Sequence, residues 1–207
     1  MTLSVFIATP SLDMQVHASY HESIVRLLMQ GFAEWHPCTR PYDGDIVRVR
    51  SRYVADFLES PCSHLLFIDA DMDFHPSVIE AMVRQAEKGD DFVAAKYPRK
   101  LHASGAPVGG SSVVGGVGLT LLSRECLRRM VDHYGGELWA TDDDGREVVQ
   151  IFALSFTPEI VKDGRRKRRL LSEDYSFGAR WQAIGGDVTV VTPAPDSVGH
   201  HGVWRWT

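Results

Sequence analysis

The stretch His64-Leu65-Leu66-Phe67-Ile68-Asp69-Ala70-Asp71-Met72-Asp73-Phe74 constrains the fold of this chain more than any other. An apolar run, Leu65 to Ile68, shows no alternation and stops at three carboxylates spaced two apart. A strand that is apolar at every position is buried on both faces, as in parallel sheets covered by helices. In open α/β sheets, ligands bind in the crevice beyond the carboxyl ends of the strands. Asp69 and Asp71 therefore lie where a ligand would be bound. Paired carboxylates repel each other unless a cation or a donor-rich ligand joins them. Hard oxygen ligands suit Mg²⁺ or Mn²⁺, which bind through one or two carboxylates plus substrate phosphates.

The remaining pattern alternates strand and helix. Leu3 to Ala8 predicts a first strand, ended by Thr9-Pro10-Ser11. Helical spacing runs from Ala18 to Trp35, with Ile24, Leu27, Leu28, Gly31 and Phe32 on one face. Pro37 to Gly44 reads as loop, and Ile46 to Leu58 as a helix carrying Arg48, Arg50 and Arg52. Pro76 opens a helix over Ser77 to Lys88, and Phe92 to Ala95 is a buried strand followed by Lys96-Tyr97-Pro98-Arg99-Lys100. A glycine-rich segment, Gly105 to Gly118, leads into a strand over Val117 to Leu122 and a helix over Arg124 to Tyr134. Gly135 to Phe156 reads as loop and short strands around an acidic turn. Glu173 to Ile184 is a helix with Ser172 as N-cap, and Val188 to Val191 a late strand. The class is α/β with a mainly parallel sheet flanked by helices.

At 207 residues the chain suits a single domain, residues 1–207. The net charge of −5 exerts no global pull toward nucleic acid or anionic membrane, though it leaves room for a local basic patch. Cys38, Cys62 and Cys126 match neither a disulfide framework nor a zinc pattern, so reduced thiols are expected. The N-terminus lacks the basic region of a signal peptide, and no apolar segment approaches the ~20 residues that span a bilayer. The expected location is cytoplasmic, with no membrane partner.

Three groups of residues carry chemistry. The first is the Asp69/Asp71 pair, although acidic turns after strands are common. The second is Leu171-Ser172-Glu173-Asp174-Tyr175, followed by Arg180 and by Gly185-Gly186. Acids in a first helical turn gain from the dipole, so Glu173 or Asp174 singly could be a cap; the Arg180 and double-glycine spacing is less well explained that way. The third is His200-His201-Gly202, whose histidines could be solvated or core residues. The glycines 109, 110, 115, 116 and 118 suggest close backbone approach to a ligand, and no G-K-[ST] follows to make a P-loop.

Taken in order, these residues resemble the nucleotide-sugar glycosyltransferases of the GT-A fold, close to the family 2 type. The matching elements are Thr9-Pro10, the helix with Arg50-Ser51-Arg52, the D-x-D at Asp69-Ala70-Asp71, Gly115-Gly116-Val117-Gly118, Glu173-Asp174 with Arg180, and the H-x-G at His200-His201-Gly202. The chain departs from the family in size: no acceptor domain or membrane segment follows the H-x-G, which puts a cell-surface polymer product in doubt. The compact size resembles small phage- or bacterium-encoded enzymes.

The resemblance implies a GT-A type, Rossmann-like domain. It also implies a metal-dependent transferase that moves a hexosyl-type sugar from a nucleoside-diphosphate sugar, a UDP-sugar first, to an acceptor hydroxyl. Asp71 and His200 would bind Mn²⁺ or Mg²⁺, and Asp69 would contact the ribose or the metal's water shell. Thr9, Pro10, Arg50, Ala70, Lys96 and Gly116 would complete the nucleotide-sugar site. Asp174 would be the general base, supported by Glu173. A divalent ion stabilises a diphosphate leaving group as a Lewis acid, and a poor hydroxyl nucleophile needs a positioned base. A base opposite the leaving group gives inversion.

The basic run Arg165-Arg166-Lys167-Arg168-Arg169 stands just before the E-D pair. It reads as a solvated loop, or as a mobile loop from Lys162 that orders over the diphosphate or over a polyanionic acceptor such as modified DNA. In a phage-encoded enzyme the location would be the host cytoplasm. Trp204 and Trp206 could stack on a sugar or base, or pack on the core. Two rivals stand beside the transferase. One is a nucleotidyltransferase, which would usually carry a glycine- and lysine-rich phosphate loop that Thr9 to Ser19 lacks. The other is a non-catalytic nucleotide- or carbohydrate-binding protein on the same fold.

Overall fold

The computed structural model describes residues 2–12, 14–42, 44–98, 116–142 and 144–201. The glycine-rich segment up to Gly115, and Gly202, Trp204 and Trp206, lie outside the described residues. A six-stranded sheet forms the centre. Its strands are β1 (Leu3–Leu12), β2 (Ala33–Tyr42), β3 (His64–Ile68), β5 (Phe92–Ala95), β6 (Leu119–Ser123) and β13 (Thr189–Val191), in the spatial order β13-β5-β6-β3-β1-β2. Among the described strands of this sheet, only β6 runs antiparallel to its neighbours, β3 and β5.

Strand β3 is fully buried after His64, as its unbroken apolar run requires. Its side chains alternate between two cores: Leu66 and Ile68 pack with Val5, Ile7 and Met82 on one face. Leu65 and Phe67 pack with Tyr53, Phe57 and Phe177 on the other. Helices α1 (Ala18–Leu28) and α3 (Pro76–Ala86) cover the first face. Helices α2 (Ile46–Glu59), α4 (Arg124–Leu138) and α5 (Glu173–Ala183) cover the second. From β1 the chain goes to β2 on one side and then returns to β3 on the other. That reversal opens the crevice beyond the carboxyl ends of β1 and β3 where such sheets bind ligands.

Several boundaries differ from the sequence expectation. The helix expected to run to Trp35 stops at Leu28, and the stretch expected as loop from Pro37 is the strand β2, paired with β1 along its whole length. Pro37 and Pro41 are tolerated because β2 is the last strand of the sheet, where a missing N–H breaks no central ladder. Helix α4 continues past Tyr134 through Gly135 and Gly136 to Leu138. Ser172 does stand at the N-cap of α5, but its side chain makes no capping bond.

Two short pairings matter for the site. Strand β4 (Met72–Phe74) lies antiparallel to β14 (Val198–His200), with His200 opposite Met72. The basic run, expected as a mobile loop, is instead an antiparallel ribbon. Strands β9 (Ser155–Phe156) and β12 (Leu170–Leu171) form its base, and β10 (Ile160–Lys162) and β11 (Arg165–Lys167) its outer part. A further hairpin, β7 (Trp139–Thr141) with β8 (Glu147–Val149), closes around the acidic turn.

Candidate active site

Arg50 is the hub of the site. It sits on α2 with its side chain only 3% exposed. One Nη donates to Asp69 Oδ1 at 2.9 Å and Oδ2 at 3.3 Å. The other donates to Glu173 Oε1 at 3.2 Å and to Asp174 Oδ1. One guanidinium thus joins the first acid of the D-x-D, at the end of β3, to both acids opening α5. The planar fork of arginine is suited to this, since a lysine presents a single point charge. The sequence expectation put Arg50 against the nucleotide; here both Nη groups bond carboxylates, and the buried Nε has no hydrogen-bond partner among the described residues.

Three carboxylates around one cation leave an excess of negative charge. Its effect is visible on the acids. Burial pushes the Asp174 carboxyl above its ordinary range, with Arg50 pulling the other way and Asp69 adding to the rise. Burial likewise raises Glu173, and its neighbour Asp174 adds to the effect. The Arg50 guanidinium is held firmly charged: its burial is outweighed by Asp174, Asp69 and Glu173. A carboxylate with raised basicity beside an open crevice is suited to accepting a proton.

The described glycines act as a scaffold for these acids. The Val117 amide donates to the Asp174 carboxylate, and the Asp69 amide donates to the Gly118 carbonyl at 2.9 Å. The Gly118 amide donates to the Tyr97 hydroxyl. A Cβ on Gly118 would meet Asp69 Oδ2 at 2.7 Å, and one on Gly116 would run into the Tyr97 hydroxyl. The close approach expected at these glycines is therefore made by Tyr97 and Asp69. Tyr97 itself escaped the sequence reading. Burial, then Asp174 and Asp69, raise its hydroxyl far above the ordinary tyrosine range, so it stays a neutral donor. Its position just past the end of β5 was the only signal.

Asp71 and His200 form the second part of the site. His200 Nε2 lies 3.5 Å from Asp71 Oδ1, brought there by the β4–β14 pairing. His200 Nδ1 donates to the Pro98 carbonyl at 3.2 Å, since a carbonyl can only accept. The ring of Tyr97 packs edge-on against His200, with centroids 5.5 Å apart. With Nδ1 carrying a proton, the nitrogen facing Asp71 in a neutral imidazole is a lone pair. A lone pair opposite a carboxylate is a pair of donors to a cation, and a carbonyl-oriented imidazole is the usual arrangement of a ligating histidine. Among the described residues, no group of three or more His, Cys, Asp or Glu could hold a metal. Asp69, expected to share it, is engaged with Arg50. The donor set nevertheless fits a divalent ion completed by substrate phosphates, because Mg²⁺-like ions commonly take only one or two protein carboxylates.

A third layer holds this part in place. The His201 amide donates to the Asp71 carbonyl at 2.7 Å. Its Nε2 lies 2.5 Å from Asp73 Oδ2 and 2.9 Å from Ser19 Oγ, and its ring stacks on His17 at 3.9 Å. The His17 amide in turn donates to the Ala70 carbonyl at 2.9 Å. Other expected residues lie deeper or apart. Thr9 is buried, its hydroxyl shared with Tyr20 and its carbonyl accepting from Tyr53 at 2.7 Å. Tyr20 is pushed up to about 12 by burial. Pro10 is also buried, and Lys96 is exposed, with its amide donating to Val191. Arg180 donates to the Ile151 and Ala153 carbonyls and serves the fold.

No model of a known protein family matches the chain, and no curated protein matches its sequence. Solved structures do. A glycosyltransferase involved in the glycosylation of the major capsid of PBCV-1 shares 10% identity over 92% of this chain and 82% of its own, with a TM-score of 0.50. The fold is of the GT-A type. Glucosyl-3-phosphoglycerate synthase from Mycobacterium tuberculosis, solved with Mn²⁺ and uridine-diphosphate-glucose, shares 14% identity over 60% of this chain and 57% of its own, at a TM-score of 0.41. 4-Diphosphocytidyl-2C-methyl-D-erythritolsynthase from Anaerococcus prevotii shares 10% over 95% and 91%, at 0.46. Among the described residues no helix is long and apolar enough to cross a membrane.

Proposed function

We propose that the chain is a single-domain, metal-dependent glycosyltransferase that moves a sugar from a nucleoside-diphosphate sugar, a UDP-sugar first, to an acceptor hydroxyl with inversion. The observation that carries this reading is the convergence of Asp69, Glu173 and Asp174 on Arg50 at the carboxyl end of β3, beside the Asp71–His200 pair.

Asp71 and His200 would hold Mn²⁺ or Mg²⁺, which when bound supplies Lewis-acid stabilisation of the diphosphate leaving group. Asp174 takes the proton of the acceptor hydroxyl as its oxygen bonds to the anomeric carbon and the bond from that carbon to the diphosphate breaks. Its raised basicity favours that role; Arg50 fixes its orientation, Asp69 adds to the rise through charge, and Glu173 supports it by sharing the same guanidinium nitrogen. Asp69, held by Arg50 and the Gly118 carbonyl, keeps the D-x-D turn rigid. Tyr97 closes the floor between Asp69 and His200. Proton acceptance by a single base in one displacement leaves the anomeric centre inverted.

The test is a panel of UDP- and GDP-sugars with the purified protein and Mn²⁺, read as release of nucleoside diphosphate and as calorimetric binding of UDP. Slow hydrolysis without acceptor, dependent on Mn²⁺ and absent in Asp174→Asn, is expected. Release of pyrophosphate from a nucleoside triphosphate would instead identify a nucleotidyltransferase. Failure to bind any nucleoside diphosphate would leave only the fold.

A further inference from the structure

The hairpin that rises beside α5 combines cations with exposed apolar side chains. Its register pairs Leu171 with Ser155, Leu170 with Phe156, Ile160 with Lys167, and Lys162 with Arg165. The tip is a tight turn with positive φ at both Asp163 (53°) and Gly164 (70°), the geometry that matches strand twist. Its base is anchored: Leu171 is buried, and the Ser155 amide donates to Ser176 Oγ at 2.9 Å on α5. Every residue from Pro158 to Leu170 is exposed. At about 3.3 Å per residue, the tip projects roughly 20 Å beyond the base.

Two properties coincide on it. Lys162, Arg165, Arg166, Lys167, Arg168 and Arg169 outnumber Glu159 and Asp163, in a chain whose net charge is −5. Phe156, Ile160, Val161 and Leu170 are 52%, 58%, 72% and 53% exposed. The pairing interleaves the two kinds, and the Arg168 guanidinium lies over the Phe156 ring at 4.2 Å. Exposed apolar residues gathered in one place mark an interaction site. Phosphates of a nucleic acid would satisfy the cations and give Ile160 and Val161 nothing to bury in. An anionic bilayer surface satisfies both, with lipid phosphates for the cations and the acyl boundary for the aliphatic side chains.

We propose that this hairpin docks the protein on an anionic lipid surface. The hairpin's base leads directly into α5, whose first turn carries Glu173 and Asp174, so the docked hairpin holds the acceptor side of the site near the bilayer. That second step rests on the transferase reading and makes a membrane-associated hydroxyl the acceptor. It departs from the sequence expectation of no membrane partner, and it makes the DNA acceptor the competing outcome.

Co-sedimentation of the whole protein with vesicles tests it. Phosphatidylcholine vesicles containing about 30 mol% phosphatidylserine should bind at least about tenfold more tightly than phosphatidylcholine alone, and less tightly as salt rises. Ile160→Ser with Val161→Ser, at sites too exposed to affect folding, should weaken that binding about tenfold, as should Arg165→Ser with Lys167→Ser. Mn²⁺-dependent UDP binding should be unchanged in both. Equal binding to the two vesicle types, or none, overturns the proposal. So does tight binding of a DNA duplex of about 20 base pairs that falls with the cation changes and ignores the aliphatic ones. A wild-type protein that binds anionic vesicles and no UDP would refute the transferase reading and uphold the docking surface.

Discussion

Replacing Arg50 by methionine tests the central claim about the site. The substitution keeps an unbranched buried chain and removes the charge that three carboxylates share. At a separation of roughly 4 Å and an effective dielectric of about 20, each pair contributes about 4 kcal/mol of attraction before desolvation. Burying the guanidinium cancels most of that sum, but losing it leaves acids facing each other, and breaking a buried pair costs about 3–5 kcal/mol. Asp69, Glu173 and Asp174 keep 27%, 21% and 21% of their side chains exposed, so water relieves part of the repulsion. The expected loss is therefore at the lower end, about 3 kcal/mol at neutral pH. It should depend on pH. Glu173 and Asp174 are raised above their ordinary range even with Arg50 present, and without it they rise further. An acid raised in the folded state contributes stability in full below its unfolded pKa and loses it as pH rises through the folded pKa. The difference between wild type and variant should therefore grow from about pH 5 to about pH 8. Urea unfolding followed by circular dichroism at both pH values measures it. Adding Asp174→Asn to the variant should recover part of the loss. A loss under about 1 kcal/mol, or one independent of pH, refutes the claim that Arg50 offsets the acids.

Other outcomes follow from the same geometry. Asp174→Asn should lose transfer by about 10²-fold or more while donor binding and melting temperature hold or rise, because the ionised group is strained in the folded protein; collapse of donor binding instead would make Asp174 a donor ligand. In wild type, kcat should climb with pH through an acid limb lying above the ordinary carboxylate range, since Asp174 acts only when ionised; a limb at the ordinary value would show another group to be the base. Product NMR should find an inverted anomeric centre. Asp71→Asn and His200→Asn should stay folded and lose Mn²⁺-dependent UDP binding by calorimetry; wild-type affinity in either would remove it from the metal site. Gly116→Ala should cost about 1–3 kcal/mol by pushing on Tyr97, and Tyr97→Phe should relieve it in the double variant; additive losses would mean the two do not touch.

Much of this was legible in the sequence, where the cause is local. The unbroken run Leu65 to Ile68 reads as a buried strand, as it is, and Asp69 and Asp71 stand just past its carboxyl end. Helices α2, α3 and α5 follow from apolar spacing and from Pro76 at a first turn. Sequence also placed Glu173 and Asp174 at the start of α5.

What it missed are matters of what lies beside what. Pro37 and Pro41 argue against a strand until β2 proves to be the sheet edge. The resemblance already paired His200 with Asp71, but no local pattern shows the contact, which depends on a three-residue strand pairing with another of the same length, each too short to show a period. The basic run hides a ribbon because the all-cationic β11 opposite Ile160-Val161-Lys162 shows no apolar alternation, although Asp163-Gly164 is a turn signal. Arg50 reads from its own neighbours as one of three helical arginines. Its role as counter-charge depends on an acid 124 residues away, and propensity or spacing, which act over a few residues, cannot register a contact that only the closing of the sheet and its covering helices creates.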